Sequence, residues 1–222
     1  MSRTLRRDGG DVTGVTSTPT TRPEPAEAFL RLVPEGTDAP TSFPEAVFAA
    51  ALRRVRALER LDMRALAAEL GVGRATLYRW VGSRDALLGE VFWWLARRSH
   101  ARAARAAAGL VGRERVLTSL SVFLASAQSD PALHRFLATE PEVALRVLTS
   151  RAARVQAGSI AVIETLLAEE SDAGRLHLAV DGSTLAYVIV RICESFLYAD
   201  VIAGREADLD QAIAVVGQLL GS

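Results

Sequence analysis

The stretch DMRALAAELGVGRATLYRWVGSRDALL, residues 62–88, decides the fold. Asp62 is an N-cap residue whose carboxylate can accept the free N–H groups of a first helical turn. Leu66, Ala67 and Leu70 fall on one inner face, and Gly71 supplies the left-handed residue that closes a helix. Beyond the Gly71-Val72-Gly73 turn, the segment from Arg74 to Trp80 predicts a second helix with Leu77 and Val81 inward at i, i+4. Ser83 then caps a further, longer helix whose apolar face is Leu87, Leu88, Val91, Phe92 and Leu95. Two short helices crossing at a small residue, Ala67, around a glycine turn read as a helix-turn-helix, which lays its second helix in the DNA major groove.

The chemistry follows from what points outward. Arg74 and Arg79 can reach phosphate oxygens or guanine edges, Thr76 offers a hydroxyl or a methyl, and Tyr78 can donate to a phosphate oxygen. Ala75 faces the same way, and Gly73 can present its backbone N–H to a phosphate. Arg64 and Trp80 complete the candidate DNA-binding surface of this unit. The plainer alternative is a helical hairpin with a solvated basic face. The ordered combination of cap, alanine, glycine turn, Thr-Leu-Tyr and second cap argues against it.

Upstream, Pro44 opens a helix, where its missing N–H costs nothing. Val47, Phe48, Ala51, Leu52, Val55 and Leu58 give it one apolar stripe, with Arg53, Arg54, Arg56 and Arg60 mostly off that stripe. Residues 1–43 carry prolines at 19, 23, 25, 34 and 40 and little periodicity, so they read as a disordered N-terminal arm. Downstream, helices are predicted near 113–128, 141–150, 152–169, 182–203 and 207–220. Breaks are expected at Asp130-Pro131, Glu140-Pro141, the Ser171–Gly174 stretch and Gly204. No segment alternates with period two, and the fold class is all-α: an arm over 1–43, a DNA-binding head over 44–90 and a helical body over 91–222.

Charge is segregated along that division. The 222-residue chain has 26 cations, all arginine, balanced by 26 acids. Residues 45–115 hold 14 Arg against 7 acids, and residues 116–222 hold 7 against 13. A basic segment joined to an acidic one suits a nucleic-acid-binding head on a body that stays off the phosphates. The one cysteine, Cys193, excludes an intrachain disulfide and reads as a small core residue. The N-terminus has no apolar core of a signal peptide, and Arg191, Glu194 and Asp200 interrupt the most hydrophobic helix. The chain is therefore read as soluble and cytoplasmic, with no membrane partner.

The C-terminal helices are too apolar for an element with one solvent side. Leu185, Val188, Ile189, Ile192 and Phe196, with Ile213, Val216 and Leu220, are the candidate homodimer interface, forming a four-helix bundle with a second copy. Arg191, Glu194 and Tyr198 share one side of their helix. They form either a satisfied ion pair or the polar end of an apolar effector pocket, for which Phe123, Phe136 and Gln156 are further candidates. Trp93 and Trp94 are adjacent and cannot share a face. One packs beneath the head, and the other, taken as Trp94, lines a pocket or the surface. Arg97, Arg98, Arg102 and Arg105 read as a solvated face or as a source of long-range attraction for phosphate. His100, His134 and His177 have no close acidic partner, so neither a metal nor any other cofactor is expected.

On the residues Leu66-Ala67, Gly71-Val72, Ala75-Thr76-Leu77-Tyr78 and Ser83-Arg84-Asp85-Ala86-Leu87-Leu88, the chain resembles the tetracycline-repressor family of bacterial transcriptional regulators. The resemblance covers residues 45–95 by motif and the remainder by helix count and chain length. It implies an N-terminal operator-binding unit of three helices, a later ligand pocket and a homodimer interface. It also implies that Arg84 contacts the DNA backbone and that Tyr78 contacts a phosphate. Departures are Gly73, where the family often has a capping serine, and Trp80-Val81 in place of His or Tyr followed by Phe. The link before Asp62 is also a little short. The run Arg79–Arg84 and the Leu-Tyr-Ala-Asp stretch at 197–200 resemble the subgroup governing lactone and quorum-signal degradation, which implies a lactone effector. An enzyme is not expected: there is no Ser–His–Asp order, phosphate-binding Gly loop or metal spacing. The expected function is a repressor released from a palindromic double-stranded DNA operator by a small apolar molecule. An effector-independent activator or architectural DNA binder is the alternative.

Overall fold

In the computed structural model, residues 44–150 and 154–221 are described, and every regular element among them is a helix. The arm expected over residues 1–43 lies outside the described residues, as do the first positions of the helix expected from residue 152. The helices are α1 (Glu45–Arg56), α2 (Met63–Glu69), α3 (Arg74–Val81), α4 (Arg84–Ala106), α5 (Gly112–Gln128), α6 (Pro131–Thr139), α7 (Pro141–Thr149), α8 (Arg154–Asp172), α9 (Gly182–Leu197), α10 (Ala199–Ala203) and α11 (Leu209–Leu219).

Helices α1 to α3 form a small core closed by the start of α4. Val47, Phe48, Ala51 and Val55 of α1 meet Leu66 and Ala67 of α2, Leu77 and Val81 of α3, and Leu87, Leu88 and Val91 of α4. Leu58 departs from the predicted stripe. Helix α1 ends at Arg56, and Leu58 adopts φ 60 with its side chain exposed. The Glu59 N–H closes on the Arg54 carbonyl at 3.0 Å, which turns the chain and lets Leu61, rather than Leu58, enter the core. A left-handed leucine is costly, so this tight closure stores strain at the end of α1.

Helix α4 continues out of the head into the body, where α5 and α8 pack along it. Both tryptophans are buried, each against a different neighbour. Trp94 meets Phe48 of α1 edge-on at a centroid distance of 6.3 Å. It is also covered by the guanidinium groups of Arg56 and Arg98, 4.8 and 4.9 Å from its centroid. Trp93 lies against Gly158 of α8 so closely that a Cβ there would overlap the indole. The arginines after it fold back as well: Arg102 donates to the Ser126 hydroxyl at 3.1 Å, so the expected solvated face is partly stapled to the body.

Two helix boundaries and the placement of four interface candidates differ from the sequence reading. Asp130-Pro131 starts a helix, α6, rather than a loop: the Asp130 carboxylate accepts from the Ala132 and Leu133 N–H groups, and Pro131 occupies the first turn. The helix expected through residue 203 breaks at Tyr198 and resumes as α10. Finally, Leu185, Ile189, Val216 and Leu220 face the body's own core, each at most 4% exposed. They cannot offer surface to a second copy as the interface assignment required. On these two helices Tyr187 and Leu219 are exposed and Val188 is half-buried, while Ile192, Phe196 and Ile213 are half-buried against the protomer's own core.

The body closes on a buried carboxylate. Glu170, at the end of α8, is fully buried and receives the Gly112 N–H at 2.6 Å together with the Arg115 and Arg175 guanidinium groups. Burial alone would push its carboxyl up, but the hydrogen bonds from Arg175, Arg115 and Gly112 outweigh it and hold the group at about 2. Gly112 has φ 57, and a Cβ there would sit 2.7 Å from the Arg175 carbonyl oxygen, so only glycine fits.

Three outcomes are expected. Glu170→Ala takes the buried carboxylate away from Arg175 and the Gly112 N–H, leaves Arg115 with Glu169, and should cost about 3–5 kcal/mol in urea denaturation. Because the folded value lies below the ordinary 4.5, Glu170 contributes fully above that pH and loses its contribution as pH falls toward about 2, a slope that Glu170→Gln should remove. Gly158→Ala should cost about 1–3 kcal/mol by displacing Trp93, with a matching change in near-ultraviolet circular dichroism.

Candidate nucleic-acid interface and body cavities

Helices α2 and α3 are set by the caps read in the sequence. The Asp62 carboxylate accepts from Arg64 N–H at 2.7 Å and Ala65 N–H at 2.8 Å, interactions that hold it below the ordinary carboxylate range. Gly71 turns the chain at φ 65. The first-turn N–H groups of α3 have no side-chain cap, because Gly73 is the N-cap. A Cβ added at Gly73 would meet nothing within 4 Å, so these donors stay open to an outside acceptor.

The outer surface of this pair carries Arg64, Arg74, Ala75, Tyr78 and Arg79, all exposed. Among the described residues, the guanidinium groups of Arg64, Arg74 and Arg79 have no hydrogen-bond or ion-pair partner. The contrast with α1 is direct: Arg53 and Arg54 are both engaged by Glu69 of α2. Thr76 is half-buried, and Trp80 leans its ring onto the head core, so each has less free surface than the sequence reading assigned it.

Arg84 is placed differently from the expectation. Its side chain is only 19% exposed and turns inward. Nε donates to the Leu61 carbonyl at 2.7 Å, and an Nη donates to Glu140 at 2.6 Å. Glu140 is 12% exposed and also lies 3.5 Å from Arg60. The nearly buried carboxylate claims the guanidinium, which therefore joins the head to the α6–α7 corner instead of facing outward.

The body residues expected to form one pocket divide into groups. Gln156 donates to both oxygens of Glu194 at 3.1 and 3.0 Å, and Arg191 donates to it at 2.8 Å. Burial raises the Glu194 carboxyl against those contacts. Phe123 and Tyr198 line a narrow cavity of about 50 Å³ with Phe92, Leu133 and Val155. Burial, followed by the charge of Glu194, pushes the Tyr198 hydroxyl up. Phe136 instead stacks on Phe92 at 4.8 Å and faces a second cavity beneath the head. Trp94 touches neither cavity. Cys193 is a buried thiol, pushed up to about 12 by burial and then by Glu194.

The sequence reading missed His100, which is buried, bonded through Nε2 to the Ser159 hydroxyl at 3.2 Å and stacked on Phe123 at 4.0 Å. Burial holds its imidazole down at about 3. It also missed Glu140 and Glu170. Ser159, Ile163, Leu166 and Glu170 share the inward stripe of α8, a signal that could have found the last of these. Glu140, beside a proline at a break, had no such signal.

Residues 111–221 match the tetracyclin repressor-like C-terminal domain family. The solved structure of the R. erythropolis transcriptional repressor QsdR, of the TetR family, is similar at TM-score 0.70 and 32% identity, covering 79% of this chain and 92% of that one. The TetR-family repressor AlkX from Dietzia sp. strain DQ12-45-1b, implicated in biodegradation of n-alkanes, shares the fold at TM-score 0.56 and 21% identity, covering 79% and 94%. No curated protein matches.

Arg84→Ala is expected to destabilise the free protein by about 1.5–3 kcal/mol in urea, because it removes the donor to the Leu61 carbonyl and leaves Glu140 only the exposed Arg60 at 3.5 Å. An unchanged denaturation midpoint would show that the two contacts contribute nothing.

Proposed function

We propose that this chain, which belongs to the tetracycline-repressor family of transcriptional regulators, is a repressor that binds a palindromic DNA operator as a homodimer and is released by a small apolar effector. The observation that carries the DNA-binding part is the set of three unpaired guanidinium groups, Arg64, Arg74 and Arg79, beside the uncapped start of α3. Most of the other described arginines are paired or laid over a ring, Arg135 and Arg205 excepted, and a helix pair that leaves three of them open suits an external polyanion. Residues 44–90 act as the head and residues 91–222 as the body.

The dimer forms through α9 and α11. Support comes from the exposed Tyr187 and Leu219 and from the area that the half-buried Val188, Ile192, Phe196 and Ile213 still leave to solvent. Two heads then meet half-sites about one helical turn or more apart on the same face of the duplex. In this reading Tyr78 and the Gly73 N–H position α3 on phosphates, while Arg74, Ala75, Thr76 and Arg79 meet base edges.

The effector enters the body beside Phe123, Tyr198 and the Gln156–Glu194–Arg191 cluster. A cavity of about 50 Å³ is small for a ligand, so binding has to part α4 from its neighbours, which couples the ligand to the spacing of the heads. Such coupling typically amounts to ~1–3 kcal/mol. The lactone class is favoured by the Arg79–Arg84 and 197–200 motifs. The small cavity equally suits an effector-independent regulator, and thermal-shift titration with γ-lactones and acyl-lactones separates the two: a rise in Tm supports the ligand-responsive reading.

Arg64→Ala should weaken specific and random duplexes alike and lower the slope of log K against log salt by about 1, whereas Arg79→Ala should alter base preference. Fluorescence anisotropy on both duplexes at several salt concentrations checks this. Equal losses for both variants on both duplexes would refute the division.

A further inference from the structure

The geometry points to a second small-molecule site, at the seam between head and body, that takes a small amphipathic anion: a carboxylate carrying a short aliphatic or aryl group. The cavity lies between the α1–α2 link, the start of α4 and α6, and has a volume of about 290 Å³, several times that of the body cavity. Its floor is apolar, made by Leu88, by the stacked rings of Phe92 and Phe136, and by Ala132.

Its rim carries charge that does not cancel. Three guanidinium groups, from Arg60, Arg84 and Arg135, face two carboxylates, Glu59 and Glu140. Both carboxylates are already engaged: Glu59 lies 3.5 Å from Arg54, and Glu140 is held by Arg84 and Arg60. Arg135 has no side-chain partner among the described residues, and Arg84 keeps N–H donors beyond the two it uses. A cavity with an apolar floor and surplus guanidinium donors on one rim selects a ligand with one anionic and one apolar end. A carboxylate bound there meets Arg135 first and competes with Glu140 for Arg84, which would loosen the tie from Leu61 to the α6–α7 corner. The site is separate from the body cavity and does not depend on what the effector is; only its consequence for operator binding rests on the function proposed above.

The test uses the full chain without DNA. Benzoate and hexanoate are titrated by calorimetry, with benzamide and hexanamide as neutral isosteres and with Arg135→Gln and Thr139→Trp as variants. Both substitutions lie at exposed rim positions, and circular dichroism checks their fold. Saturable binding of the anions is expected, about tenfold or more tighter than the amides, weakened about tenfold by Arg135→Gln and blocked by Thr139→Trp, whose indole fills the mouth. Anions and amides binding alike, no saturation, or selective anion binding that survives both variants would each overturn the proposal. A DNA-binding assay on the same samples reads the function separately: loss of operator binding by the unliganded protein would count against the function, and the calorimetric result would stand.

Discussion

Helix α4 has to satisfy two cores at once, and most of the architecture follows from that constraint. Leu87, Leu88 and Val91 close the head, while Trp93, Ala101 and Ala103 close the body. At about 1.5 Å per residue, its 23 residues make a rod on the order of 35 Å long. Neither core can be repacked without rotating the rod that also serves the other. Close-packed interiors resist small deformations and switch between discrete arrangements instead. The indole of Trp93 seated on Gly158 is where such a rod would bind or slip against α8.

Arginine is put to three distinct uses. Arg115 neutralises carboxylates inside the body. Arg56, Arg98 and Arg84 work at the seam, two as covers for Trp94 and one as a tether from Leu61 to Glu140. Arg64, Arg74 and Arg79 are left open on the head. A zero net charge therefore describes none of these regions. Planar, multi-donor guanidinium suits all three tasks, whereas an ammonium group would serve the stacked and bidentate ones poorly.

The head was legible in the sequence because its determinants are local. Asp62, Gly71 and Ser83 act within three or four residues of themselves, and the inward leucines follow at helical spacing. What could not be read was set by distant partners. Nothing near Arg84 indicates that a carboxylate 56 positions away will claim it. The same holds for Trp94, which the head covers, and for Phe136, which turns from the body cavity to the seam. Leu58 fitted the apolar periodicity of α1, but the chain had already turned before reaching it. In α9 and α11 periodicity gave the apolar positions correctly. It could not say which of two opposite faces the protomer keeps for itself, and Leu185, Ile189, Val216 and Leu220 went to its own core.

The open arginines of the head have a consequence for control. Guanidinium keeps its charge at any pH a cell experiences, and without lysine in the chain there is no ε-amine there for an acetyltransferase to neutralise. The charge of these side chains is thus fixed, and only ionic strength screens it. A modulator other than salt has to act through shape, by moving one permanently charged surface relative to another.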